Sequence, residues 1–149
     1  MSQAQYIIYL ADDDDLEVLT TAFNDVDCIA EVQWYKTTAS LMLQLNSLVD
    51  TALPDLIVLD HHMPPNVEGE LVKWIRSHEK LDSIALVIYT TIVQESKKLT
   101  MLHDGVDCLM MKGNSLDEIK EHVAIFCSII AEKKLVAAGM KKEKISGKK

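Results

Sequence analysis

No run of eighteen or more apolar residues occurs in this chain of 149 residues, so no segment is long enough to cross a bilayer as a helix. The opening residues, Met-Ser-Gln-Ala-Gln-Tyr, carry no basic stretch followed by an apolar one. No secretory signal is indicated, and a cytoplasmic protein is expected. There is no internal repeat, no Gly/Ser linker and no low-complexity stretch. Cysteine is scarce and odd in number. Cys28, Cys108 and Cys127 lie at unrelated spacings in apolar surroundings, so buried thiols are expected rather than a disulfide or a metal site. None has the nearby His or acid pattern of a cysteine nucleophile.

What is present fits one domain. A chain of this length at 48% hydrophobic residues can bury a real core but is too short for two ordinary domains. The net charge of -8 is unevenly spread: residues 1–130 hold 21 acidic and 8 basic side chains, whereas 131–149 hold 2 acidic and 7 basic. The acidic body argues against a direct nucleic-acid surface. The division expected is a domain over 1–130, followed over 131–149 by an extension of the last helix and a solvated, frayed basic tail.

The chain is organised around Pro54 to Pro65, which reads Pro-Asp-Leu-Ile-Val-Leu-Asp-His-His-Met-Pro-Pro. Leu56 to Leu59 is short, apolar and bounded by prolines, so it reads as a strand buried on both faces. Asp60 then stands at the C-terminal end of a buried strand, where open parallel sheets put their ligand sites. A capping Asp at a turn is the plainer alternative.

Tyr6 to Leu10 reads as a second buried strand, stopping at four consecutive aspartates, Asp12 to Asp15. Leu16, Leu19, Ala22, Phe23 and Val26 follow at helical spacing, with Asp14 or Asp15 suited to the helix start. Ala30 to Tyr35 is a strand, and Thr37 or Thr38 caps a helix with Leu41, Leu45, Leu48 and Val49 on its apolar face. Gly69 and Glu70 open a helix carrying Leu71, Val72, Trp74 and Ile75. Ile84 to Tyr89 is a buried strand ending at Thr90-Thr91. A helix with Val93, Leu99 and Leu102 stops at Gly105. Cys108 to Met111 is a fifth strand, ending at Lys112-Gly113, and Asn114 or Ser115 caps a long final helix. Five alternations of strand and helix give an α/β fold, a parallel sheet with helices on both faces joined by right-handed crossovers.

In such a sheet the strand C-termini emerge on one edge, so Asp12, Asp13, Asp60, Thr90 and Lys112 can converge. Crowded carboxylates either hold a proton or take a divalent cation, and oxygen-only ligands suit Mg²⁺. A lysine ammonium and a threonine hydroxyl add donors for an anion. Cation, anion contacts and a carboxylate together suit phosphoryl transfer to Asp, which depends mainly on positioning and charge neutralisation.

These residues resemble the receiver domain of two-component response regulators, the family that includes the single-domain chemotaxis regulator. The likeness covers roughly residues 5–130: Asp12-Asp13 after an apolar strand, Asp60 in Asp-x-x-Met-Pro with Met63-Pro64, Gly69 shortly after, Thr90 after the fourth strand, and Gly105 seven residues before Lys112. The resemblance implies a flavodoxin-like, doubly wound five-stranded sheet of order 2-1-3-4-5. It implies phosphorylation of Asp60 by a histidine kinase or phosphotransfer partner, and signalling to a downstream protein through contacts. It further implies Mg²⁺ held by Asp13, Asp60 and the backbone carbonyl of His62, with Asp12 acting largely through water and Thr90 and Lys112 binding phosphoryl oxygens. The domain would catalyse its own phosphorylation and the later hydrolysis. A transition-metal role for His61 and His62 is not part of this pattern, and Trp34 and Trp74 read as packing residues. A haloacid-dehalogenase phosphatase would want a second Asp where His62 stands. A receiver-like adaptor that binds partners without phosphorylation is the competing reading.

The sequence departs from the family at positions that switch or gate, among Thr91, Ile92, Leu109 and Gly113. Gly113 replaces the proline that usually follows the lysine behind a cis bond. Without proline a cis bond costs about 2.5 to 4 kcal/mol, so a trans bond is expected, or a cis one held by the site. Leu109 replaces the aromatic residue that often turns with the threonine. The segment from Met63 to Gly69 is one residue longer, with an extra Pro65. In the last helix Leu116, Ile119, Val123, Phe126 and Ile130 form a core stripe, while Ile125, Ile129 and Val136 lie on another side. Continued to Ala138 the helix would span roughly 36 Å and project past the sheet, as a frayed end or as a dimer or partner-docking surface. Ile92 places an apolar side chain where an attacking water must approach. Replacing it with Asn is expected to speed loss of the phosphoryl group, read as a shorter half-life of the phosphorylated protein; an unchanged half-life would count against that role.

Overall fold

The computed structural model describes residues 6–11, 16–26, 30–47, 53–59, 68–91 and 95–136. Its elements follow the expected alternation: β1 (Tyr6–Ala11), α1 (Leu16–Asp25), β2 (Ala30–Tyr35), α2 (Thr38–Ser47), β3 (Leu56–Leu59), α3 (Glu68–Ser77), a 3-10 turn (Glu79–Leu81), β4 (Ala85–Thr90), α4 (Glu95–Asp104), β5 (Cys108–Met111) and α5 (Leu116–Leu135). The five strands pair in parallel in the order β2-β1-β3-β4-β5.

Central burial explains the uninterrupted apolar runs. Every residue of β3 and β4 is buried, because both faces of the sheet are covered by helices. Alternation along each strand divides the core in two. Ile57, Leu59, Leu86 and Ile88 pack with Leu41, Leu45, Leu71, Ile75 and Met101, under α2, α3 and α4. Leu56, Val58, Ala85, Val87 and Tyr89 pack with Leu19, Phe23, Val123 and Phe126, under α1 and α5.

Local caps agree with the sequence. The Thr37 hydroxyl accepts the amide of Ser40 at 3.1 Å, and the Ser115 hydroxyl accepts that of Glu118 at 3.1 Å while the Glu118 carboxylate accepts the amide of Asn114 at 2.7 Å. Each arrangement satisfies amides that a helix start leaves open. Gly105 closes α4 with φ of +120°, and a Cβ there would stand 2.6 Å from Cγ of Arg76, so both backbone and space demand glycine.

At the edge opposite the strand C-termini, two aspartates hold strand starts. The Asp55 carboxylate accepts the amide of Ile7 at 2.8 Å, and that of Asp107 accepts the amide of Leu86 at 2.8 Å. The last turn of α5 reaches the same two groups, Lys134 pairing with Asp55 at 2.7 Å and Lys133 with Asp107 at 3.3 Å. The last turn of α5 therefore lies beside that edge, and the continuation past Val136 to Ala138 falls outside the described residues. That turn carries two lysines to the lower edge, leaving Leu135 and Val136 exposed.

Three further expectations are corrected. Leu116 is 39% exposed and stands outside the core stripe that Ile119, Val123, Phe126 and Ile130 form, since it opens the helix above the sheet face. On α4, Met101 is the buried residue while Leu99 is 76% exposed; the α4 face was set by its packing rather than by its leucines. Cys108 is a free thiol, but Cys127 is disulfide-bonded, a pairing that depends on tertiary approach and leaves no trace in sequence spacing.

Arg76 on α3 ties the α4–β5 turn to the sheet. Its guanidinium donates to the carbonyls of Gly105 (2.9 Å) and Asp82 (2.9 Å) and to the Asp107 carboxylate (3.0 Å), with its side chain only 12% exposed. Arg76→Ala is expected to cost about 2 kcal/mol, above the range for surface ion pairs, seen as a lower urea midpoint at unchanged slope; a loss under about 0.5 kcal/mol would show the clamp to be ornamental.

Candidate functional site

The edge where the strands end collects the candidate groups. β1 and β3 finish level, with Ala11 paired to Leu59, and the sequence continues directly into Asp12 and Asp60. Asp12, Asp13, Asp60, His62 and Ile92 lie outside the described residues. β3 pairs Leu59 with Ile88 of β4, which runs on through Tyr89 to Thr90, and Thr90 pairs with Met111 at the end of β5.

Thr90 is the buried polar residue among the described ones, at 1% exposure. By alternation its side chain leaves the sheet on the face opposite to Tyr89. Its hydroxyl finds no hydrogen-bond partner among the described residues, whereas buried polar side chains nearly always have one. Leaving a hydroxyl so costs roughly 1 to 3 kcal/mol. Such a cost fits a group kept for a ligand.

Lys112 comes directly after β5 and is half-buried, and its amide donates to the carbonyl of Thr90 at 2.7 Å. The structure thus brings Thr90 and Lys112 together across neighbouring strand ends. Thr91 is exposed. Leu109 lies in β5 opposite Ile88 and packs on the α2–α4 side of the core, so the position holds an aliphatic packing group. Gly113 sits against the first turn of α5, where a Cβ would come within 3.1 Å of Glu118 and Ile119. Its amide donates to the hydroxyl of Tyr89 at 3.1 Å.

Tyr89 was missed as a site residue. It reads as one more apolar member of a buried run; the available signal was a phenol in that run, since a buried tyrosine hydroxyl demands a partner. Cys108 offers no nucleophile, because burial first, and Asp107 second, push its thiol pKa up, keeping it protonated at neutral pH. Among the described residues no cluster of His, Cys, Asp and Glu could hold a metal.

No family model matches the sequence. Solved structures similar to this one include the phosphorylated cyanobacterial phytochrome response regulator RcpA, at a TM-score of 0.71 and 24% identity over 80% of this chain and 89% of that one. The Mn(2+)-bound form of response regulator Rcp1 superposes with a TM-score of 0.69 at 21% identity, covering 79% and 88% of the two chains. A CheY-like receiver domain protein from Methanospirillum hungatei gives a TM-score of 0.67 at 14% identity, over 87% and 99%. The fold is that of a response-regulator receiver. Among curated proteins, a hybrid signal transduction histidine kinase D of Dictyostelium discoideum is 34% identical over 70 residues, a stretch that is 47% of this chain but 4% of that protein. The receiver fold accounts for the strand order and for the level ends of β1 and β3.

The orphan hydroxyl gives a signed prediction. Thr90→Val keeps the shape and removes the unsatisfied group, so the ligand-free protein is expected to gain about 1 kcal/mol or more in chemical denaturation. Destabilisation by Thr90→Val would mean that the hydroxyl already has a partner and is not held open.

Proposed function

We propose that this chain is a phosphoacceptor response regulator of a two-component phosphorelay, accepting a phosphoryl group on Asp60 from a histidine kinase or phosphotransfer protein. The observation that carries the reading is the buried Thr90 hydroxyl without a partner, beside Lys112. It stands at the end of a strand neighbouring β3, whose sequence continues into Asp60. The receiver fold and the phosphorylated state of RcpA support it.

In this reading a carboxylate oxygen of Asp60 attacks phosphorus in line, and the bond from phosphorus to the donor's leaving atom breaks as the acyl phosphate forms. The Thr90 hydroxyl donates to one phosphoryl oxygen and the Lys112 ammonium to another, neutralising charge as it spreads over those oxygens. The residues that would hold a cation are Asp12, Asp13, Asp60 and the backbone carbonyl of His62. An all-oxygen set of this kind fits Mg²⁺, which retains several waters, and the Mn(2+)-bound neighbour agrees with use of a divalent ion. When bound, Mg²⁺ supplies positive charge that offsets the crowded carboxylates and the incoming phosphoryl group. Water later attacks the acyl phosphate, so the domain catalyses both its own modification and its reversal.

The signalling unit comprises 1–130, and 131–149 extend α5 into the basic tail. No helix among the described residues is long and apolar enough to cross a membrane. Output passes through protein contacts; the exposed Ile125, Leu135 and Val136 of α5 support docking or self-association there. Leu109, packed where an aromatic switch would stand, favours the adaptor as a second reading.

Incubation with acetyl phosphate and Mg²⁺ is expected to add the mass of one phosphoryl group, absent in Asp60→Ala and without Mg²⁺. Failure of the unmodified protein to take up phosphate, together with no shift on adding beryllofluoride, would hand the case to the adaptor.

A further inference from the structure

Two successive amides leave the end of β5, and both are held from β4. The amide of Lys112 donates to the backbone carbonyl of Thr90 at 2.7 Å. The amide of Gly113 donates instead to a side chain, the hydroxyl of Tyr89, at 3.1 Å. A proline at 113 could make no such bond. The Tyr89 oxygen also lies 2.8 Å from Nδ1 of His122 on α5. The ring is 1% exposed and locked edge-on against His122 (centroids 5.5 Å apart, 84°) and Phe126 (5.3 Å, 87°). A phenol that accepts from an amide and shares a hydrogen bond with an imidazole nitrogen is placed with little freedom, because each partner fixes a different direction around its oxygen.

We infer that Tyr89, oriented by His122, is a positioning residue for phosphoryl transfer: its hydroxyl fixes the Lys112–Gly113 peptide and so sets where the Lys112 ammonium meets the phosphoryl oxygens. This rests on the phosphoacceptor reading above and assigns that site a support on the opposite face of the sheet. The Tyr89 ring belongs to the α1 and α5 side of the core, so it never touches the phosphoryl group; it acts through the backbone of the loop. The loop has little other slack, since a Cβ at Gly113 would already crowd Glu118 and Ile119 at 3.1 Å, and Asn114 is tied to Glu118. Misplacing a charged donor by a fraction of an ångström is enough to slow a reaction that runs on positioning.

The test follows phosphorylation of the full chain by acetyl phosphate with Mg²⁺. Tyr89→Phe keeps both ring contacts and removes the hydroxyl; its initial rate is expected to fall about tenfold. In a Lys112→Ala background, Tyr89→Phe should have no further effect, whereas a merely structural role would give independent, multiplying losses. His122→Leu should reproduce the slow rate and His122→Asn, whose amide can accept or donate near the place of Nδ1, should restore it. The amide resonance of Gly113 in ¹⁵N spectra should shift in Tyr89→Phe. Equal rates for Tyr89→Phe and the parent, or losses that multiply with Lys112→Ala, overturn this inference alone. A parent protein that takes no phosphoryl group overturns the phosphoacceptor reading and this support with it.

Discussion

The constraint on which the rest depends is the burial of β3 and β4 on both faces. No residue of either strand reaches solvent, so their side chains must alternate between two filled halves of the core. A slip of one residue would exchange those halves. In β4 such a slip would turn Tyr89 toward the α2–α4 side and Thr90 toward α5. The chemistry at the strand ends is thus fixed by apolar packing several residues below it. The carboxylates of Asp55 and Asp107 strengthen the same register from the far edge, each taking an amide at a strand start.

The last helix ties the two edges together. It begins beside Lys112 under the Ser115 cap and ends with Lys133 and Lys134 on the aspartates of the lower edge. Its four buried side chains, Ile119, Val123, Phe126 and Ile130, carry the energy, at roughly 1.5 to 3 kcal/mol for each large apolar group. The ion pair of Lys134, with its side chain 54% exposed, is worth about 1 kcal/mol at most. The pairs therefore fix where the helix stops along its axis, while burial decides that it docks. A helix anchored in this way can hold Tyr89 through His122 without the loop at 112–115 needing bulk of its own.

Much of the fold was legible because its signals are local. The apolar runs 56–59 and 85–89, the spacing of Leu19, Ala22 and Phe23, the cap at Ser115 and the stop at Gly105 each need only neighbours in sequence. The strand order was read from the receiver resemblance, not from periodicity. Within the candidate site, Thr90 and Lys112 were legible as strand-end polar groups, and the structure places them in contact through the backbone. The bonds of Tyr89, the ties of Lys133 and Lys134, the clamp of Arg76 and the disulfide of Cys127 were not legible. Most of these join groups far apart in sequence, Arg76 to Asp107 or Lys134 to Asp55 for example, whose meeting depends on how helices settle on the sheet, and no spacing rule encodes that. Leu99 shows the converse error, a helical leucine that tertiary packing left in solvent.

Gly113 and Leu109, read as departures, are connected by the geometry around them. Glycine after Lys112 introduces an amide that proline would lack, and a half-buried amide without a partner is costly. Tyr89 meets that need from the neighbouring strand, on the α1–α5 side of the sheet, while Leu109 fills the opposite side. Turning the Tyr89 ring would break two hydrogen bonds and two edge-on ring contacts at once. The Tyr89 ring therefore has no room to swing. Movement of the 112–113 backbone, by contrast, passes directly through the Tyr89 hydroxyl to His122, and so to the helix that carries the exposed Ile125, Leu135 and Val136.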